Sequence, residues 1–274
     1  MSEIGDIRLL LSDVDGTLVD QDKRLTPAAV AAAEQLRDAG IDLSVTSARP
    51  PRGLSMLVEP LGLTLPMAGF NGGLIVRPDL SVIESHPIDP GLARKAVDLL
   101  TGQGLDVWLY TDADWFVSDP KGEHVDREAW ILQFDPIPAT NFTADQLAGA
   151  YKIVGVSKDI AKVAATAPLA QDVLGAGVSA TQSEPKFIDI TSARATKGFV
   201  VKSLAKHLGL TPAQVGTIGD MPNDVLMFRE SGFSIAMGNA SDEVKAQASA
   251  LTDTNRQDGF AKAVRRFLLK DRAA

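Results

Sequence analysis

The run Leu9-Leu10-Leu11-Ser12-Asp13-Val14-Asp15-Gly16-Thr17-Leu18 constrains this chain more than any other segment. A short apolar stretch of strand length ends in two carboxylates two positions apart, followed by glycine. Alternation along an extended chain would aim Asp13 and Asp15 toward the same side. Two such anions repel each other unless a cation or a proton lies between them. An acid pair at the carboxyl end of a buried strand is where open α/β sheets bind their ligands.

The flanks of the chain extend that pattern. Thr26-Pro27 reads as an N-cap and first helical residue, and Gly40 as the stop of an alanine-rich helix. A second strand at 41–46 ends at Ser47-Ala48-Arg49. A helix near 52–58 and an apolar run at 65–70 follow, then Asn71-Gly72-Gly73. The alternation resumes with a helix at 197–208, a strand at 215–218, the loop Gly219-Asp220-Met221-Pro222-Asn223-Asp224, a helix near 224–231, a strand at 233–236 and closing helices near 242–248 and 258–269. Short strand–helix alternation predicts an α/β fold with a doubly wound parallel sheet. The middle of the chain differs: helices near 90–102, 122–133 and 159–174 are mixed with strand-like segments near 105–110, 114–118, 151–157, 177–183 and 186–191. It reads as an inserted α+β domain over 86–184, splitting a core formed by 1–85 and 185–274. Its aromatic residues, Trp108, Tyr110, Trp115 and Trp130, are expected in its core.

Composition narrows the chemistry. With 27 basic against 35 acidic residues, the net charge is −8, which argues against nucleic acid or an anionic membrane as the main partner. There is no cysteine, so thiolate chemistry and Cys-ligated zinc are excluded. The three histidines, His86, His124 and His207, fall outside the acidic loops, which disfavours a Ser-His-Asp mechanism. The segment from Met1 to Arg8 does not read as a secretion signal and no apolar run has membrane-spanning length, so a cytoplasmic location is expected.

The two acidic loops belong together. In a parallel sheet, the loops after the first strand and after 215–218 emerge at the same edge. Asp13, Asp15, Asp220 and Asp224 there make a hard, all-oxygen donor set of the kind magnesium prefers. Each motif alone is also compatible with an ordinary turn bearing solvated acids. Lys197 could bring a point charge to a phosphate, and Ser47 a hydroxyl; Arg49 reads equally as a substrate contact or a surface charge, and Asn71-Gly72-Gly73 as a plain turn.

Four segments in this order resemble the haloacid dehalogenase superfamily of phosphatases with a type-IIB cap: Asp13-Val14-Asp15-Gly16-Thr17-Leu18, Val45-Thr46-Ser47-Ala48-Arg49, Thr196-Lys197-Gly198 and Gly219-Asp220-Met221-Pro222-Asn223-Asp224. Ile235 to Ala240 and Asp258-Gly259-Phe260 add to the likeness, which is weak across the insert. The second motif departs from the family's usual Ala-Thr-Gly-Arg, with Ser47 keeping the hydroxyl and Ala48 replacing the glycine. The resemblance implies a Rossmann-like core with an inserted cap and a magnesium-dependent phosphomonoesterase acting on a small phosphorylated metabolite, a sugar phosphate first. It implies Asp13 as nucleophile and Asp15 as general acid and base. Metal would be held by Asp13, the backbone carbonyl of Asp15 and Asp220, with Asn223 or Asp224 in support. Ser47, Arg49, Lys197 and Asn223 would contact the phosphoryl group or substrate. A phosphosugar mutase and a non-catalytic phospho-ligand sensor are the alternatives.

Overall fold

The computed structural model describes residues 6–269. In chain order the strands are Leu9–Asp13 (β1), Asp42–Thr46 (β2), Met67–Gly69 (β3), Leu74–Val76 (β4) and Val82–Ser85 (β5); then Asp106–Tyr110 (β6), Trp115–Val117 (β7), Ile137–Pro138 (β8), Lys152–Val156 (β9), Val178–Glu184 (β10) and Phe187–Ser192 (β11); then Val215–Gly219 (β12), Phe233–Ala236 (β13) and Ala250–Leu251 (β14). They form two sheets and two compact units.

The first unit holds residues up to Ala48, Ser55–Ile83 and the chain from Thr196 onward. Its eight-stranded sheet has the order β14-β13-β12-β1-β2-β3-β4-β5, with every pair from β14 to β3 parallel and β3–β4 antiparallel. From β1 the chain steps outward through β2 and β3; on its return it starts beside β1 at β12 and steps outward the other way. The β1–β12 boundary is therefore the topological switch point, where the loops diverge and leave a crevice. β1 is buried at all five positions, as expected for a central strand covered on both faces. Leu9 and Leu11 pack into one cluster with Val200, Val201, Leu204, Met227 and Phe228, and that cluster fixes the helix Lys197–Leu208 against the strand carrying Asp13. The helix Pro27–Asp38 begins where its sequence predicts, with Thr26 Oγ1 accepting from the Ala29 amide.

The second unit holds Arg49–Leu54 and Glu84–Ala195. Its sheet order is β10-β11-β9-β6-β7-β8, antiparallel except for β7–β8. One face, with Val107, Leu109, Ile153 and Ile188, packs on the helices Pro90–Gly102 and Ile160–Leu174 through Ala96, Leu100, Val163 and Ala167. Alternation sends Trp108 and Tyr110 to the other face, where Trp115 stacks on Tyr110 at 5.7 Å.

The chain passes between the units at Ile83/Glu84 and Ala195/Thr196, and Arg49–Leu54 also joins the second. A boundary at 185 falls in the β10–β11 hairpin, and β11 lies between β10 and β9, so the two cannot be parted. Arg49–Leu54 belongs there because Arg52 lies 4.4 Å over the Phe134 ring and donates to the Ala113 carbonyl. The expected helix at 52–58 is a 3-10 turn at Pro51–Leu54 followed by a helix at Ser55–Leu61. Trp108, Tyr110 and Trp115 are buried as expected, but Trp130 is 51% exposed on the outer side of its helix. Among the described residues, no helix is long and apolar enough to cross a membrane.

Candidate active site

Register brings the two acidic loops together. Ser12 pairs with Ile218, so Asp13 ends one strand beside Gly219, and Asp220 begins the loop after the next. Ligand oxygens of Asp13, Asp220 and Asp224 all lie within 4.8 Å of one another, and the three side chains are buried. Lys197, the first residue of its helix and 2% exposed, joins them: its Nζ lies 2.6 Å from Asp13 Oδ1 and 2.5 Å from Asp224 Oδ1. Thr196 caps that helix by accepting from the Phe199 amide. The capping threonine thus sets where the lysine leaves the backbone.

Two glycines make the close approach possible. Gly16 has φ of +88°, and a Cβ there would sit 2.3 Å from Asp220 Oδ2. At Gly219 a Cβ would come within 2.4 Å of Asp224 Cγ. Both positions need a residue without a side chain, the first for its backbone conformation as well.

The acids are not equivalent. Asp224 is fully buried; its Oδ2 accepts from the amides of Asp220 and Met221 and its Oδ1 takes Lys197, so it folds its own loop back onto the strand end. Asp220 accepts from Thr17 Oγ1 at 3.0 Å and from Asn239 Nδ2 at 3.0 Å. Asn239 also donates to the Gly16 carbonyl and accepts from the Asn255 amide, which ties both loops together. Asp13 uses Oδ1 for Lys197, while its buried Oδ2 has no hydrogen-bond partner. A buried carboxylate oxygen left without a donor calls for a positive or electrophilic partner.

Electrostatics says the same. Burial pushes the Asp13 carboxyl well above the usual carboxylate range; Lys197 opposes this, and the charges of Asp224 and Asp220 add to it. Burial and the neighbouring Asp224 push Asp220 up to about 6, against the hydrogen bond from Thr17 and the charge of Lys197. Burial works against the charge on Lys197, but Asp13 and Asp224 outweigh it and hold its pKa above the ordinary lysine value. Three carboxylates share one ammonium group, leaving a cluster short of positive charge. Its all-oxygen donor set and the orphan Asp13 oxygen fit a hard divalent cation.

The other expected residues are placed less uniformly. The Asp15 carboxylate does not join the Asp13–Asp220–Asp224 cluster; its Oδ1 is held by Lys23 Nζ at 2.8 Å. Ser47 is buried at the end of β2, its amide donating to the Ala68 carbonyl and its own carbonyl accepting from the Asn71 amide. Asn223 Nδ2 donates to Asn71 Oδ1 at 3.0 Å, and its buried Oδ1 has no partner. Arg49 groups with the second unit, where its guanidinium donates to the Ile131 carbonyl. Thr17, Lys23, Asn71 and Asn239 contribute contacts that sequence reasoning did not assign. Thr17 and Asn239 stood inside recognised motifs, whereas nothing in the sequence marked Lys23.

Comparison with known proteins agrees with this geometry. The haloacid dehalogenase-like hydrolase family model matches residues 10–264. A 5-amino-6-(5-phospho-D-ribitylamino)uracil phosphatase of Bacillus subtilis is 26% identical over 265 residues, covering 96% of this chain and 97% of its own. A haloacid dehalogenase-like hydrolase from Bacteroides thetaiotaomicron superposes with a TM-score of 0.87 at 25% identity, covering 95% of this chain and 99% of that one. A subclass IIB sugar phosphatase, BT4131, shares the fold with a TM-score of 0.80 at 21% identity, covering 95% of this chain and 98% of its own. The chain belongs to the haloacid dehalogenase-like hydrolase family and is a phosphatase.

Proposed function

We propose that this phosphatase hydrolyses a small phosphorylated metabolite, a sugar phosphate before others, through an aspartyl-phosphate on Asp13, with Mg2+ as its cation. The observation that carries the reading is Asp13 itself. It is buried, anchored by Lys197 at one oxygen and lacks any partner at the other.

Asp13 and Asp220 are the residues to hold the cation, with Asp224 in support while it also fixes the loop amides and Lys197. When bound, the cation offsets the repulsion between a carboxylate nucleophile and a phosphate dianion. The rest falls to the chain. A carboxylate oxygen of Asp13 attacks phosphorus while the ester P–O bond breaks, and Asp15 gives the departing alkoxide its proton. Water then attacks phosphorus, Asp15 takes its proton, and the Asp13–phosphorus bond breaks to release phosphate. Lys197 keeps Asp13 in place and neutralises charge beside it, which is most of what phosphoryl transfer asks of a protein. Ser47 and Asn223 are the nearby donors for phosphoryl oxygens. Arg49 stays a proposed substrate contact: its hydrogen bond to the Ile131 carbonyl uses one of the five guanidinium N–H donors.

The names of the relatives support small phosphate monoesters of varied skeleton, among them a ribityl phosphate, pyridoxal phosphate and phosphoglycolate. The test is a phosphate-release screen across sugar phosphates, nucleotides and phosphorylated cofactors, with Mg2+ or with chelator. Release of phosphate from sugar phosphates that needs Mg2+ and is lost in Asp13→Asn supports the reading. Isomerisation without release would replace it with a mutase, and full activity in chelator would remove the metal.

A further inference from the structure

The loop between β1 and the first helix contains an ion pair that the proposed chemistry has not used. Lys23 Nζ lies 2.8 Å from Asp15 Oδ1, with the two side chains 26% and 30% exposed. The backbone beneath it is tightly specified. The Val14 carbonyl accepts from the amides of Leu18 and Val19, closing a turn around Gly16. The chain then doubles back: Val19 bridges to Asp15 on one side and to Leu25 on the other. Asp20 closes the tip, its Oδ1 accepting from the amides of Asp22 and Arg24 while its own amide donates to the Arg24 carbonyl. Asn255 pins the base of this flap by donating to the Val19 carbonyl.

At the tip Lys23 adopts φ of +58°. That left-handed conformation suits glycine or asparagine, and turns of this kind ordinarily carry one of them. A lysine there keeps the strain a glycine would relieve. Backbone strain held by a well-determined loop beside reacting groups is a pointer to function. The side chain so presented reaches the one carboxylate of the motif that stays outside the Asp13–Asp220–Asp224 cluster.

We propose that Lys23 is a positioning residue: its ammonium group fixes the carboxyl group of Asp15 by one oxygen, so that the acid is held in the orientation in which it serves the leaving oxygen. This rests on the reading of Asp15 as general acid. A freely rotating carboxyl would have to be caught in its productive rotamer, and orientation is a large part of what such a group contributes. A half-buried ion pair at the rim of the site contributes modestly to stability, and its placement on the Asp15 carboxyl group points to orientation.

The experiment compares two esters. An alkyl phosphate, glycerol phosphate, needs a proton at its leaving oxygen; p-nitrophenyl phosphate releases a stable phenolate and does not. Lys23→Ala should lower kcat/KM, which reports the phosphoryl-transfer step and not hydrolysis of the intermediate, about 10- to 100-fold on the alkyl ester, a part of the general-acid contribution, and less than about threefold on the aryl ester. Lys23→Arg should restore the alkyl rate. Lys23→Gly should behave kinetically like Lys23→Ala while its Tm stays at or above that of the unsubstituted protein, because the strain is gone. Equal losses on both esters, or a fall in Tm with Lys23→Gly, would reduce Lys23 to a structural pin and overturn the proposal. Asp15→Asn, measured alongside, separates the failures. If it keeps alkyl turnover, the acid role of Asp15 falls and the proposal with it; if it loses that turnover while Lys23→Ala does not, the proposal alone falls.

Discussion

Replacing Asp220 by asparagine should make the cation-free protein more stable at neutral pH while removing its activity. Asp220 has a pKa of about 6 in the folded chain against an ordinary 3.8. Its protonated form is thus favoured by folding, and its stabilising effect is present below pH 4 and lost as pH rises through 6. Above that, the ionised group costs about 3 kcal/mol, from roughly 2 pKa units at 1.36 kcal/mol each. Asparagine removes this cost. It keeps an acceptor for Thr17 Oγ1 but sets an amide against Asn239 Nδ2, losing a hydrogen bond worth about 1 kcal/mol. The net gain at pH 8 is about 2 kcal/mol, whereas near pH 4 the variant is level with the parent or slightly below it. Urea unfolding in chelator at pH 4 and pH 8 measures both values. Saturating Mg2+ should then reverse the order at pH 8, since only the parent gains the binding energy. A gap that does not change with pH, or a variant destabilised at both, would refute the view that this cluster is charge-frustrated until a cation arrives.

Three further outcomes follow from the same geometry. Gly16→Ala, which forces a Cβ to within 2.3 Å of Asp220 Oδ2 at φ of +88°, should weaken Mg2+ binding at least tenfold and lower stability by about 1–2 kcal/mol, read by calorimetric titration and thermal melts. Asp224→Ala leaves two loop amides and one side of a buried lysine without partners, so unfolding free energy should fall by about 3 kcal/mol, with activity lost as the loop opens. Apparent Mg2+ affinity should rise with pH through about 6, because protons compete for Asp220 below that value and for Asp13, whose carboxyl burial also pushes up. An affinity flat from pH 5 to 8 would contradict it.

Much of the core was legible because its determinants are local. The run ending in Asp13, the Thr26-Pro27 cap and the strand–loop Val215–Asp224 each carry their own signature, and parallel pairing brings their ends to one edge. Lys197 was legible as a helix-start lysine, but its sharing between Asp13 and Asp224 was not, since that depends on packing of distant segments. The second unit was harder. Its boundary at 185 failed because a hairpin reads the same whichever sheet it joins, and membership of β11 is decided by β9, some 30 residues earlier. Arg49 sits two residues from Ser47, yet its guanidinium engages Ile131, a long-range contact with no sequence marker. Lys23 was invisible for a different reason: a backbone at positive φ normally announces itself by glycine, and here the residue is lysine.

The central claim, that phosphoryl transfer passes through Asp13, is tested most directly by acid-quenching the enzyme during turnover of a labelled phosphomonoester and mapping the label. One hydroxylamine-labile phosphoryl group is expected on the peptide containing Asp13, absent from Asp13→Asn and decaying at the turnover rate. Label on any other residue, or steady phosphate release with no trapped species and inversion at phosphorus, would contradict it.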